Sequence, residues 1–359
     1  MAPSRRGLVG AAVGGATAAL ASPAIAQSNP TIRWRMASSF PKSFDVMYGA
    51  TDIIARITSE LTEGRFQIQP FAAGEIVPAL QVLDAVTNGT VECGQTYMGY
   101  YVGRNPAYIF DGSLPFGLSP RQQNAWWYHG GGFALMDAMY AEAGFVRLQA
   151  GNTAGQMFGW YRKELKSPAD FNGLKIRTAG FGGKVLTKLG AVTQQIPAAD
   201  TYPALERGTI DATELVAPHD DEKQGFFKVA PFYYAPGVME LEASIPVLVN
   251  KAKWDGLPPL YQRALRAACM TAEVEMIAGY DAKNAAAFRS LVAKGAQIRI
   301  LSPEIIRALS QATEAVLDEE AAASPQFKKI LDSWRPFRAE IHRYFSVNDA
   351  RAEMAVYSR

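Results

Sequence analysis

Three polar side chains occupy positions where a folded chain could use them to bind a small anion. Arg177 ends a short apolar run immediately before a glycine-rich turn. Glu214 closes the strand-like run 209–213, and Gln156 belongs to the strand-like run 155–160. An arginine at the carboxyl end of a strand offers a planar pair of donors to a carboxylate, and carboxylate and amide oxygens suit a hard cation. The set favours binding over turnover.

Motifs for nucleophilic catalysis and for phosphate binding are incomplete. The run 129–132, His-Gly-Gly-Gly, resembles the oxyanion loop of lipases, but no serine stands in the G-x-S-x-G pattern that this chemistry needs. We therefore predict a loop between helices there. The run 180–184, Gly-Phe-Gly-Gly-Lys, resembles a phosphate loop without its G-x-x-x-x-G-K spacing. A small anion at a helix N-terminus remains an alternative for that run.

A transition-metal site is not indicated. His129, His219 and His342 show no spacing that is typical of metal ligands. The run 219–222, His-Asp-Asp-Glu, is charged enough to suggest a metal site. We expect instead a solvated helix N-terminus, where acidic side chains complement the helix dipole.

Alternating strand and helix patterns predict an α/β fold that positions these residues. Strands are expected at 31–37, 66–71 and 90–96, and helices at 46–62 and 80–88. This order indicates βαβ units and a parallel sheet.

A weak internal echo suggests two similar halves. Residues 78–80, Pro-Ala-Leu, lead through a helix to Gly-Thr-Val-Glu at 89–92, and the same Pro-Ala-Leu at 203–205 leads to Gly-Thr-Ile-Asp at 208–211. Any junction of a helix, a glycine and a strand looks similar, so a chance likeness is the alternative. A true repeat would give two α/β lobes, with a ligand between them outside the carboxyl ends of the strands.

The C-terminal third of the chain is predicted to be mainly helical. A long helical pattern covers 258–294 with a gap around Gly279, and a short strand follows at 297–301. Further helices are expected at 302–323 and from 325 to about 344. This length exceeds the need of one lobe, so the helices either brace both lobes or offer a partner surface.

The first 26 residues have the pattern of an export signal. Arg5 and Arg6 precede the apolar stretch 7–21, and Ala-Ile-Ala at 24–26 resembles a cleavage site. The twin arginines suit a twin-arginine signal, and the apolar stretch is too short to span a bilayer. We expect cleavage after Ala26 and a periplasmic product.

Export changes what the charge and the cysteines imply. The chain of 359 residues has a formal net charge of +2, which falls to 0 when Arg5 and Arg6 are removed. A product with no net charge lacks the excess of positive charge that favours binding to nucleic acid or to an anionic membrane. Cys93 and Cys269 could form a disulfide in the periplasm, but we expect two buried free thiols.

Several stretches together make the chain resemble the solute-binding proteins of TRAP transporters, in the subgroup that binds 2-oxo and 2-hydroxy monocarboxylates. The matching stretches are 37–43 (ASSFPKS), 73–75 (AGE), Trp126 with 128–132 (YHGGG), 151–153 (GNT) with Gln156, 173–177 (GLKIR), 208–214 (GTIDATE), 220–223 (DDEK) and 225–231 (GFFKVAP). The resemblance implies a two-lobed α/β fold of the periplasmic-binding-protein type, with an interlobe cleft and long bracing C-terminal helices. It implies no enzyme activity.

The resemblance also implies an arrangement of domains. Residues 27–152 plus about 243–300 form the first lobe, after the signal peptide of residues 1–26. Residues 153–242 plus about 301–359 form the second lobe with the C-terminal helices.

The resemblance assigns roles to individual positions. Arg177 matches the carboxylate-binding arginine, and Tyr100 and Asn152 match positions near the ligand. A cation bridges ligand and protein in this subgroup. Its ligands fall on Gln156, Glu214, the backbone carbonyl of Leu215 and Glu240. Relatives often carry Trp where this chain has Leu215, which indicates a wider pocket here.

The charge of the site bears on which cation is bound, because unpaired buried charge is costly. With Glu214 alone, Arg177 and a monoanion, one Na⁺ gives a neutral site. If Glu240 also coordinates, Ca²⁺ gives a neutral site. Glu240 lies beside a predicted interlobe strand, and this slightly favours calcium over sodium.

The sequence therefore predicts an exported protein that captures a small 2-oxo or 2-hydroxy monocarboxylate, similar to pyruvate or lactate, and delivers it to the membrane permease of a TRAP transporter. A larger aromatic or cyclic carboxylate is the alternative ligand. A ligand-sensing subunit for a membrane receptor is the alternative role. A lyase or hydrolase is not favoured, because the sequence offers no set of catalytic His or Lys residues. The C-terminal helices could form a homodimer or fold back as a brace.

Overall fold

The computed structural model describes residues 29–358. The predicted signal peptide, residues 1–26, and its cleavage site after Ala26 lie outside the described residues. Within the described range, no helix combines the length and the apolar character that crossing a membrane requires. The chain from Thr31 onward forms one compact unit that contains two β-sheets.

The first sheet has five strands in the order β2, β1, β3, β10, β4. Their bounds are β1 (Ile32–Ser38), β2 (Phe66–Phe71), β3 (Cys93–Gln95), β4 (Phe145–Leu148) and β10 (Val247–Asn250). Strand β1 pairs in parallel with β2 and β3, whereas β10 runs antiparallel to β3 and β4. Phe66 and Ile68 of β2 are buried and Gln67 between them is exposed, as the alternating pattern of a half-buried strand predicts.

The second sheet has six strands in the order β11, β9, β5, β8, β6, β7. Their bounds are β5 (Gly159–Tyr161), β6 (Lys175–Arg177), β7 (Val192–Gln194), β8 (Ala212–Thr213), β9 (Phe232–Ala235) and β11 (Gln297–Ile300). Strand β6 pairs in parallel with β7 and β8, and β5 runs antiparallel to β8 and β9.

The two sheets repeat one arrangement, which gives the internal echo a structural counterpart. In each sheet three parallel strands are followed by an antiparallel one, β10 in the first and β5 in the second. Gly89 before β3 and Gly208 before β8 both have positive φ, at 79° and 72°, in corresponding junctions. The predicted parallel sheet is thus only partly found. Local helix–strand alternation could not reveal the antiparallel strands, because their partners are distant in sequence.

Twelve α-helices surround the sheets in the described part of the chain. They are α1 (Asp45–Leu61), α2 (Val82–Thr87), α3 (Pro120–His129), α4 (Gly132–Glu142), α5 (Gly182–Lys188), α6 (Thr201–Glu206), α7 (Pro218–Gln224), α8 (Lys251–Asp255), α9 (Pro259–Ala293), α10 (Pro303–Ala323), α11 (Pro325–Val347) and α12 (Asp349–Tyr357). The glycine run after His129 joins α3 to α4, as predicted.

The long helix α9 and the C-terminal helices connect the two halves. Helix α9 packs against both α1 and α7, and α11 packs against α10 as well as α3 and α4. The expected gap at Gly279 is absent, because α9 is continuous there. A Cβ at Gly279 would lie 3.3 Å from Val46 Cγ1, so this glycine allows α1 to approach closely.

One domain boundary needs correction. Residues 243–300 were expected in the first lobe, but β11 pairs with β9 in the second sheet. Between the sheets, the segments 149–156 and 238–246 run side by side and form an isolated antiparallel bridge between Asn152 and Ser244. We refer to them as the crossing segments. We propose that the chain changes lobes within them, near 152 and 242.

Two acids of the run 219–222, Asp220 and Asp221, are buried and not solvated as expected, whereas His219 and Glu222 are partly exposed. Asp221 Oδ2 accepts hydrogen bonds from Trp160 Nε1 at 3.0 Å and from Tyr233 OH at 2.7 Å. Asp220 Oδ2 accepts one from Tyr280 OH at 2.6 Å. These aromatic donors come from β5, β9 and α9. The local sequence of α7 therefore could not predict that they bury the two acids.

The cysteines are placed as predicted. Cys93 and Cys269 are both buried and both free. Burial raises the pKa of each thiol above its ordinary value, which keeps both side chains in the neutral, unreactive form.

Candidate functional site

Two of the predicted site residues lie side by side at the carboxyl ends of two neighbouring strands of the second sheet. Arg177 is the last residue of β6, and Glu214 follows directly after β8. The two strands pair in parallel with Arg177 opposite Thr213. Parallel neighbours end at the same edge of a sheet, so the strand pairing itself brings the guanidinium beside the carboxylate.

Arg177 is held from one side by neighbouring oxygens. Its side chain is 2% exposed. Nε donates to the carbonyl of Ile196 at 3.1 Å, and Nη1 donates to the backbone carbonyl of Glu214 and lies 3.7 Å from the carboxylate Oε2 of the same residue. Among residues 29–358 no hydrogen bond uses Nη2. That nitrogen leaves a donor for an anion in the cavity.

Glu214 and Gln156 each present a buried oxygen that lacks a hydrogen-bond partner. Within the described residues, neither Glu214 Oε1 nor Gln156 Oε1 has one. Burial raises the pKa of Glu214 to about 7, against the opposing charge of Arg177. Buried polar atoms nearly always have partners. Two orphaned oxygens at one site therefore indicate a ligand that binds oxygen.

Glu240 adds a second buried carboxylate. Its Oε1 accepts a hydrogen bond from the hydroxyl of Tyr97. Burial, and then the charge of Glu214, raise the pKa of Glu240 well above its usual range. Two buried acids close to one guanidinium leave negative charge that a proton or a cation must compensate.

These side chains line one cavity, which has about 370 Å³ of empty space including its mouth. Its polar residues are Tyr97, Tyr100, Thr153, Gln156, Arg177, Glu214 and Glu240. Its apolar walls are Phe40, Phe44, Met47, Ala179, Ala198, Leu215, Val216, Ala243 and Ile245. A cavity that combines charged and polar side chains with apolar walls suits a small acid with a short apolar tail.

The two halves of the molecule meet at this cavity. Gln195, which follows β7, donates from Nε2 to the carbonyl of Tyr100 at 3.0 Å. Gly180, which follows β6, has φ of 69°, and a Cβ at this position would lie 2.8 Å from the hydroxyl of Tyr97. Tyr97 and Tyr100 follow β3 of the first sheet, so both contacts join the sheets.

Six predicted site residues line the cavity, and one does not. Tyr100, Gln156, Arg177, Glu214, Leu215 and Glu240 are brought together. Asn152 lies behind the cavity lining, where its Nδ2 donates to Glu242 and its Oδ1 accepts from the Ala154 N–H at 2.9 Å. Its place is in the crossing segments, as a contact between them.

The predicted strand around Gln156 begins later than expected. Strand β5 starts at Gly159, so Gln156 lies in the irregular segment before it. A run of apolar and small residues does not show where the irregular segment ends and the short strand begins.

Two polar residues of the lining were not predicted. Tyr97 lies two residues after β3 and contacts Glu240, and Thr153 contacts Gln156. The rule that located Arg177, that ligands lie outside the carboxyl ends of parallel strands, would have located Tyr97 as well. Thr153 belongs to the matching stretch 151–153, but the resemblance assigned it no role.

The donor set suits a hard cation. Gln156 offers an amide oxygen, and Glu214 and Glu240 offer carboxylates, all at one cavity. Hard cations such as Na⁺ and Ca²⁺ prefer these oxygen ligands, whereas transition metals favour nitrogen and sulfur. The orphaned oxygens of Gln156 and Glu214 are the atoms that such an ion would engage.

A second acidic group in the described residues already contains a cation of its own. Asp45, His219 and Asp220 lie close enough to hold a metal ion. However, Lys223 Nζ contacts Asp45, lies 2.9 Å from His219 Nε2 and 3.9 Å from Asp220 Oδ1. The ammonium group occupies the position that a metal would need, so this group is an ion-pair network.

Comparison with known proteins gives a family and close relatives. Residues 37–324 match the family described as bacterial extracellular solute-binding protein, family 7. The monocarboxylate 2-oxoacid-binding periplasmic protein of Nostoc sp. (strain PCC 7120) is 45% identical over 324 residues, which cover 90% of this chain and 89% of the relative.

Solved structures of relatives are also similar. A TRAP transporter solute-binding protein from Bordetella bronchiseptica, a mixed-occupancy dimer with copurified calcium and picolinate in one site, is 46% identical with a TM-score of 0.90, over 92% of this chain and 98% of its own. One from Pseudoalteromonas atlantica, with bound sodium and pyruvate, is 34% identical with a TM-score of 0.87, over 90% and 98%. These likenesses confirm the predicted two-lobed α/β fold.

The raised pKa of Glu214 predicts how stability depends on pH. The carboxyl group keeps its proton in the folded protein up to about pH 7, whereas its ordinary pKa is 4.5. Its contribution to the free energy of unfolding is therefore full below pH 4.5 and is lost as the pH rises through 7, at about 1.4 kcal/mol per unit. In cation-free buffer, urea unfolding should show that Glu214→Gln lacks this decline.

The matched control is Glu60→Gln, at an exposed position on α1, which should keep the pH profile of the wild type. Parallel profiles for wild type and Glu214→Gln between pH 4.5 and 7 would contradict the assignment.

Proposed function

The chain belongs to the bacterial extracellular solute-binding proteins of family 7, and we propose that it binds a small 2-oxo or 2-hydroxy monocarboxylate together with a bridging cation. This family consists of receptors for transport and not of enzymes. The relative from Nostoc, named for binding monocarboxylate 2-oxoacids, supports the ligand class. In the proposed role, the protein delivers its ligand to the membrane permease of a TRAP transporter.

One observation carries the proposal. A buried arginine with an unused donor faces the same cavity as two orphaned oxygens, those of Gln156 and Glu214. A 2-oxo acid satisfies both needs, because its carboxylate accepts from arginine while a carboxylate oxygen and the adjacent oxygen chelate a cation. A simple carboxylate without the second oxygen would leave the cation poorly bound.

In the proposed complex each part of the ligand has its own contact. Arg177 orients the carboxylate. The cation would be held by the side-chain oxygens of Gln156, Glu214 and Glu240 and by the Leu215 carbonyl. Tyr100 covers the tail; burial raises its pKa to about 12, so the hydroxyl stays neutral. Asn152 would act indirectly, through the crossing segments.

Charge balance favours calcium as the cation. Glu214, Glu240, Arg177 and a bound monoanion sum to two negative charges, which one Ca²⁺ neutralises. The Bordetella relative holds calcium and the Pseudoalteromonas relative holds sodium, so both ions suit the family. Two acids within one cavity favour the divalent ion in this chain.

A planar aromatic acid is the second candidate ligand. The Bordetella relative, at 46% identity, holds picolinate, and Leu215 lines the cavity of this chain. Picolinate has a ring nitrogen next to its carboxylate and can chelate a cation as a 2-oxo acid does. A leucine in place of a larger side chain would leave room for the ring.

Export and assembly complete the proposal. The family is extracellular, which agrees with export, and we propose cleavage after Ala26. The C-terminal helices are proposed to form a homodimer, because α12 buries none of its residues and the Bordetella relative is a dimer. The exposed apolar side chains there are Tyr344, Val347, Met354, Val356 and Tyr357.

Removing the guanidinium should weaken binding of the acid. Arg177→Ala is expected to cost at least about 2 kcal/mol of binding free energy, because a charge-assisted contact is lost from a buried site. Titration calorimetry with pyruvate and calcium measures this. Arg162→Ala is the control, since Arg162 also donates to backbone carbonyls beside the second sheet but lies outside the cavity. Unchanged affinity in Arg177→Ala would refute the assignment.

Neutralising the second acid should change the preferred cation. With Glu240→Gln the site sums to one negative charge, so pyruvate binding should become dependent on sodium rather than calcium. Metal analysis and pyruvate titrations in each salt test this. Glu242→Gln is the control, because Glu242 is buried nearby and bonds Asn152 outside the cavity. A wild-type protein that needs sodium and holds no calcium would disprove the preference.

Filling the space beside Leu215 should separate the two ligands. Leu215→Trp is expected to weaken picolinate binding at least about tenfold while pyruvate binding changes little. The introduced indole would occupy the space that the ring of picolinate needs. Leu215→Met conserves volume and should leave both affinities near the wild type. Equal losses for both ligands would show that position 215 does not select ligand size.

A further inference from the structure

The hydroxyl of Thr153 lies at the centre of a small buried network behind the cation ligands. Thr153 is 1% exposed. Its Oγ1 accepts from Gln156 Nε2 at 3.0 Å and from the Ala243 N–H at 2.9 Å, and it donates to the Ala154 carbonyl at 3.3 Å. A threonine hydroxyl has one donor and two acceptor sites, so the group is fully used.

This network determines which way the amide of Gln156 points. The Thr153 hydroxyl donates to the Ala154 carbonyl at 3.3 Å, and its oxygen accepts from Gln156 Nε2 at 3.0 Å. With the amide nitrogen facing Thr153, Oε1 is the oxygen that has no hydrogen-bond partner among the described residues. A rotated amide would turn its nitrogen toward the cation and would require the Thr153 hydroxyl to leave the Ala154 carbonyl and donate to the amide oxygen instead.

The same hydroxyl joins the two crossing segments. Ala243 lies in the second crossing segment, whereas Thr153 and Gln156 lie in the first. The bridge between Asn152 and Ser244 is the neighbouring contact between these segments. The position of the Gln156 oxygen therefore depends on how the two segments are aligned.

We propose that Thr153 is a positioning residue, which aims the Gln156 carbonyl oxygen at the cation and ties that aim to the alignment of the crossing segments. This inference rests on the proposed function, because it requires a cation at Gln156 and Glu214. Partners that orient metal ligands from behind typically change metal affinity by about 10- to 100-fold when they are removed.

The test compares variants of the full mature chain after bound ligand and metal have been removed. Thr153→Val keeps the shape and removes the hydroxyl, and Thr153→Ser restores it. Titration with Ca²⁺ in the presence of pyruvate should give an affinity about 10- to 100-fold weaker for Thr153→Val. Thr153→Ser should lie close to the wild type.

A matched control separates positioning from general stability. Thr313→Val also removes a fully buried threonine hydroxyl, which donates to the Leu309 carbonyl in α10 and does not line the cavity. It should leave Ca²⁺ affinity unchanged even if the melting temperature of the cation-free protein falls. Thr153→Ala serves in place of Thr153→Val if the valine variant does not fold.

A double-mutant cycle decides whether Thr153 acts through Gln156. In a Gln156→Ala background, Thr153→Val should cause no further loss of Ca²⁺ affinity, because there is no amide to orient. Independent losses would overturn the inference, as would a Thr153→Val protein that binds Ca²⁺ like the wild type. If the wild type itself binds pyruvate without Ca²⁺ or Na⁺, the proposed function fails first, and the two failures are thereby distinguished.

Discussion

Two buried carboxylates share the cavity with a single guanidinium, which can compensate the charge of only one of them. The chemistry of the site depends on this imbalance. Glu214 and Glu240 are each about 5% exposed and face the same space as Arg177. Their raised pKa values express this imbalance, since without a cation the site keeps protons that ordinary acids would release. A cation replaces those protons and creates a centre to which a second anion, the ligand, can bind. The acid and the cation are then expected to bind together.

The fold brings these groups together from distant parts of the chain. Arg177 and Glu214 come from the ends of two paired strands, whereas Gln156 and Glu240 come from the crossing segments between the sheets. Tyr97 and Tyr100 follow β3 of the first sheet and contact groups of the second half. Because the site takes ligands from both halves and from the segments between them, binding and lobe closure would stabilise each other.

Local patterns in the sequence predicted the parts of this arrangement that depend on neighbours in the chain. The strand ends at Arg177 and Glu214 were found because a short apolar run followed by a polar residue is a local signal. The antiparallel strands β5 and β10, and the pairing of β11 with the second sheet, depend on partners far along the chain. The burial of Asp220 and Asp221 escaped prediction for the same reason, as did the role of Thr153, which depends on a backbone N–H ninety residues away.

The central claim is that the acid binds only together with a cation. The most direct measurement uses mature protein that has been unfolded and then refolded to remove bound ligand. This protein is titrated with pyruvate in a calorimeter, in sodium-free buffer with EDTA and again after calcium has been added. The account predicts no measurable pyruvate binding in EDTA, one pyruvate per chain with calcium, and a calcium affinity that rises when pyruvate is present, because coupling between two ligands is reciprocal. Equal pyruvate affinity with and without the cation would contradict it.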